Sequence, residues 1–72
     1  MPRFEVRAAG NWITRHSDRA SAHRSAISYS GIVPGRVDVY ELPEGFFAFE
    51  DCVKGSPILR GHYQDGQLQG DY

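Results

Sequence analysis

Residues 35–51 read GRVDVYELPEGFFAFED, and the fold turns on how this stretch is paired. Two apolar, β-branched and aromatic runs flank Leu42-Pro43-Glu44-Gly45. Proline fixes φ at the second position of a type I turn, and glycine supplies the left-handed position of a three-residue hairpin loop. The expectation is a strand over 36–42 returning over 46–51, with Leu42 opposite Phe46, Tyr40 opposite Ala48 and Val39 opposite Phe49. Alternation then puts Tyr40, Leu42, Phe46 and Ala48 on one side, and Val37, Val39, Phe47 and Phe49 on the other. Neither side is polar, so both need cover.

Upstream, residues 3–9 alternate Phe4, Val6 and Ala8 with Arg3, Glu5 and Arg7, the period of a half-buried strand. Gly10-Asn11 follows as a candidate two-residue turn. Residues 12–15 then form a short return strand, or a loop in which Trp12 caps the core. Trp12 is expected to be a core anchor, because a small domain needs its large apolar area. Ser17 or Asp18 starts a helix as N-cap, and Asp18 also suits the positive end of the helix dipole. The helix is expected over 19–30, ended by Gly31 in a Schellman stop with Ile32 against Ile27. Its inner face collects Ala20, His23, Ala26, Ile27 and Ser30.

Downstream, Lys54-Gly55-Ser56-Pro57 is a loop by composition. A strand is expected over 58–63, followed by Asp65-Gly66, a pair favoured in type I′ turns. Residues 64–72 are either a frayed tail or an edge strand. The fold class is α+β: a strand or hairpin, one helix, then a three- or four-stranded antiparallel meander, with the single helix packed on one face. The 72 residues make one domain. A chain of this size buries only about 60% of its unfolded surface and is marginal in stability. Cys52 is the only cysteine, which excludes an internal disulfide and suits a reducing cytoplasm. The residues before Glu5 hold no apolar run, so no signal peptide is expected, and no 18 consecutive apolar residues occur that could span a membrane. Self-association is the remaining support.

The net charge of −1 hides an asymmetry. Residues 1–36 carry six arginines against Glu5 and Asp18; residues 37–72 carry Lys54 and Arg60 against seven acids. Either an acidic partner meets the first half, or the halves face each other.

Chemistry is sparsely signalled. His16, His23, Cys52 and His62 are the soft metal ligands, and none has ligand spacing: His16 and His23 stand about 10.5 Å apart along a helix. Glu50 and Asp51 precede Cys52, and negative charge suppresses a thiolate. Glu50 and Asp51 point to opposite strand faces, and no phosphate-binding glycine motif is present. The expectation is a non-enzyme with no metal and no cofactor. Arg15, Arg19 and Arg24 cluster near the helix start and form a candidate contact for nucleic acid or an acidic partner. Against nucleic acid stands the low overall charge.

The favoured reading is a protein-binding module, homodimer or hetero-complex, in which Tyr40, Leu42 and Phe46 form the partner surface. In kind, though in no motif, the chain looks like the small single-domain proteins of bacteriophages and mobile elements. That likeness implies an inhibitor or adaptor that occupies the surface of a partner protein.

Overall fold

The computed structural model describes residues 3–43 and 56–70. Five strands and one helix follow in the order β1 (Phe4–Ala8), β2 (Asn11–His16), α1 (Arg19–Ile32), β3 (Val37–Glu41), β4 (Ile58–Gln64) and β5 (Gln67–Gly70). They form one antiparallel sheet in the order β2-β1-β3-β4-β5, with the helix on one face. The expected α+β architecture is therefore present, and 67–70 form an edge strand.

The pairing of β3 differs from the local hairpin. Its two edges are taken by β1 and β4: Val39 lies opposite Val6 and Gly61, and Tyr40 opposite Glu5 and Leu59. The expected partner over 46–51 lies outside the described residues. A nearby turn favours the next run in sequence, but β1 offers a strand that alternates in phase with β3 and shares its buried face.

That face carries Val6, Val37, Val39 and Tyr63, all buried, against Ala22 and Ala26 of α1. Phe4, Ala8, Tyr29 and Val33 pack around them. Small side chains at i and i+4 let the helix lie close to the sheet. The buried helical residues are Ala22, Ala26 and Ser30. The expected face was thus rotated: Ala26 and Ser30 belong to it, His23 is half-buried at its border, and Ala20 and Ile27 are exposed.

Asp18 caps the helix as expected, accepting from the Ser21 backbone N–H at 2.8 Å. That bond is the main cause holding the Asp18 carboxyl below its ordinary 3.8; desolvation opposes it, and the Ser21 hydroxyl and Arg24 assist it. The folded pKa lies below the unfolded one. The cap's contribution is therefore complete above the unfolded value and is lost as pH falls through the folded value. Asp18→Asn retains a capping oxygen but has no charge to lose. Its urea midpoint is expected to fall less steeply than wild type between pH 5 and pH 2.

The far end departs from the Schellman expectation. The helix runs through Gly31 to Ile32, and Val33, in an extended conformation, donates its N–H to Tyr29 O at 2.8 Å. Ile32 is exposed and makes no staple with the preceding turn. The helix end is fixed to the sheet instead. Buried Ser30 donates its hydroxyl to Ile27 O and accepts from the Gly66 N–H, both at 3.0 Å.

Gly66 belongs to the expected Asp65-Gly66 turn, where both residues have positive φ, as type I′ requires. The β1–β2 turn has the same form but sits one residue early, at Ala9 (φ 53°) and Gly10 (φ 83°). Alanine in this conformation costs about 1–2 kcal/mol, and asparagine tolerates it better. Ala9→Asn is expected to raise stability by about 0.5–1 kcal/mol, read as a shift in the urea midpoint at unchanged slope.

Candidate functional site

The sheet face away from the helix is built from the alternate residues of β1 and β3, extended by their neighbours. One row runs Trp12, Arg7, Asp38, His62 and Gly70 across all five strands; the next runs Arg15, Glu5, Tyr40 and Leu59. Three irregularities in register shape it, one each in β2, β4 and β5, opposite Val6/Arg7, Val39/Tyr40 and His62/Tyr63. An extra residue in one strand re-aims the side chains beside it.

At the first irregularity Ile13 is the extra residue, and Trp12 comes to lie beside Arg7 on the outer face. Trp12 is accordingly not the expected core anchor: it is 56% exposed. Arg15 stands over its ring, 4.2 Å from guanidinium carbon to centroid. Arg7 stands over Tyr40 in the same way at 4.5 Å. Between the two arginines lies Glu5, only 3% exposed. Its Oε1 accepts from Arg7 Nε at 2.5 Å and its Oε2 from Arg15 Nε at 2.8 Å. The result is a continuous series, Trp12–Arg15–Glu5–Arg7–Tyr40, in which every member is held by the next.

A second pair of arginines shares one acid at the C-terminal end of β3, next to Tyr40. Glu41 accepts from Arg3 Nη2 at 3.1 Å and Arg60 Nε at 2.8 Å. Arg36 pairs with Asp38 at 2.6 Å. Arg3 and Arg36 thus meet acids from the second half of the chain, while Arg7 and Arg15 share the first half's own Glu5.

Of the three residues expected at a partner surface, Tyr40 lies on this outer face under Arg7. Leu42 is only 3% exposed and is committed to packing within the chain. Phe46 lies outside the described residues. The expected cluster of Arg15, Arg19 and Arg24 does not form one surface. Arg15 points to the outer face through its bond to Glu5, while Arg19 and Arg24 belong to the helix on the other side. Arg24 bonds the Ser21 hydroxyl at 3.3 Å. Sequence proximity misled here because a strand alternates its side chains while a helix winds them. Glu5 and Arg7 were assigned to the polar side of β1, and the ladder they build was missed. The available signal was a glutamate flanked by arginines two residues to either side, where cross-strand and same-strand pairing become possible.

No protein-family model, curated protein or solved structure matches this chain. Among the described residues, no helix is long and apolar enough to cross a membrane.

Proposed function

We propose that this chain is a non-enzymatic protein-binding module, acting in the cytoplasm as an inhibitor or adaptor through the sheet face opposite its helix. One observation carries the reading: Trp12 is mostly exposed, yet its ring is fixed under Arg15, which a buried carboxylate in turn holds. Burying a large apolar side chain is worth about 1.5–3 kcal/mol, a sizeable share of what a domain of this size has. A free tryptophan in water is costly to order on binding; one already held in place is not. Tryptophan, tyrosine and arginine are also the residues that dominate the energetics of protein interfaces.

The test is affinity capture from the native host, with light scattering on the pure chain to ask whether the partner is a second copy. Trp12→Ala is expected to abolish capture or self-association, and Arg24→Ala to leave it unchanged. Retention of either association by both Trp12→Ala and Tyr40→Ala would remove the face from consideration.

A further inference from the structure

We infer that Asp65-Gly66 is a modification site of this chain: Asp65 closes on the Gly66 nitrogen and becomes isoaspartate, and the buried Ser30 hydroxyl at the end of α1 holds that nitrogen back. Asp65 is the only aspartate followed by glycine, and the single asparagine, Asn11, precedes a tryptophan. Glycine has no side chain to crowd its own nitrogen. Asp65 is exposed, so its carboxyl can rotate in water.

The chemistry needs water alone. The Gly66 nitrogen attacks Cγ of the protonated Asp65 carboxyl. An N–Cγ bond forms, the Cγ–OH bond breaks, and the nitrogen's proton leaves with that hydroxyl as one water. The five-membered imide then takes up one water. Addition at Cγ restores aspartate. Addition at the main-chain carbonyl breaks the original peptide bond and leaves the chain running through Cγ. No electron is transferred, and the final composition equals the starting one.

The fold decides when this can happen. Asp65 (φ 54°) and Gly66 (φ 78°) are held in the left-handed turn, and the Gly66 N–H donates to Ser30 Oγ at 3.0 Å. Ser30 is 2% exposed and directs its own proton to Ile27 O, so its lone pairs are left for Gly66. A Cβ at Gly31 would stand 4.0 Å from Gly66 Cα, which places the helix end directly against the turn. Swinging the nitrogen toward Cγ breaks the bond to Ser30 and leaves the N–H without that acceptor, which is costly beside a buried hydroxyl. Conversion therefore waits on release of the helix end. Once made, the extra backbone methylene lengthens a two-residue turn that the Gln64–Gln67 pair closes.

Wild type and Ser30→Ala are held in mildly acidic buffer, and wild type also in urea. Isoaspartate at position 65 is read by peptide mapping with Asp-N endoproteinase, which cuts before aspartate and not before isoaspartate. Circular dichroism gives the unfolded fraction of each sample, and its share of the urea-unfolded rate is subtracted. Unfolded wild type is expected to convert fastest and native wild type slowest. The corrected rate of Ser30→Ala should exceed native wild type roughly threefold to tenfold, the factor that one net hydrogen bond sets. If Ser30→Ala proves unfolded, Ser30→Cys, which fills the same space with only a weak acceptor, decides by the same measure. A corrected rate less than about twofold above native wild type, native wild type converting as fast as the unfolded chain, or no conversion at position 65 in urea overturns the inference.

Discussion

Tyr63→Ala is expected to leave the chain unfolded at 25 °C. Among the described residues, Tyr63 is the largest of the fully buried side chains. It sits on β4 opposite Val37 and Leu68, at the place where the alanines of α1 leave room for a ring. Its hydroxyl hydrogen-bonds His23 Nδ1 at 2.7 Å, and the two rings lie 5.4 Å apart at 55°. Truncating a large buried aromatic costs about 3–5 kcal/mol. A single core in a chain this size supplies about 3–5 kcal/mol in total. The two magnitudes cancel, so circular dichroism should show loss of the helix without denaturant. Tyr63→Phe keeps the ring and removes the hydrogen bond to His23, costing about 0.5–1.5 kcal/mol. That variant should remain folded with a lowered urea midpoint. A cooperative Tyr63→Ala transition within about 1 kcal/mol of wild type would mean the core is centred elsewhere.

Tyr63 also shows where sequence reading stops. Its strand was legible, but the run Ile58-Leu59-Arg60-Gly61-His62-Tyr63 holds no clean alternation, because Arg60 is an extra residue and Gly61 contributes no side chain. Nothing local says that Tyr63 faces the helix. The features fixed by neighbours in sequence were readable: the Asp18 cap, the alternation of Phe4, Val6 and Ala8, and the Asp65-Gly66 turn. Features fixed by distant pairing were not. The partners of β3 depend on β1, whose paired residues lie far back in the sequence, as Val6 does from Val39. The outward placement of Trp12 depends on one extra residue opposite Val6/Arg7. The helix face differed by a fraction of a turn because alanine and serine, spread around the helix, define its apolar side poorly. The candidate site was half visible. Tyr40 lies on the sheet face that the helix does not cover, as the alternation of its strand allowed. The arginines that organise that face were divided between a solvent side and a helix start.

Glu5→Gln is expected to cost about 2–3 kcal/mol in low salt. Removing one member of a buried ion pair costs about 3–5 kcal/mol, because the remaining charge stays uncompensated. The lower figure applies here since Arg7 and Arg15 are 25% and 30% exposed, so water screens them in part. Glutamine keeps an acceptor for one guanidinium but leaves two cations side by side. Adding Arg7→Gln removes one of them, and the double variant should lose clearly less than the sum of the single losses. Raising the salt should narrow the gap between Glu5→Gln and wild type. Trp12 emission should shift in Glu5→Gln even where the fold is intact, because the Arg15 guanidinium over the ring loses its ion pair with Glu5. A loss under about 0.5 kcal/mol at low salt, with unchanged emission, would show that Glu5 does not hold the face together. The same series separates stability from purpose. Replacing Glu5, Arg7 and Arg15 together by apolar residues of similar volume should be near neutral or stabilising, as for other buried charged triads. If that variant folds and no longer captures a partner, the arginines and their shared carboxylate serve recognition, and the fold does not require them.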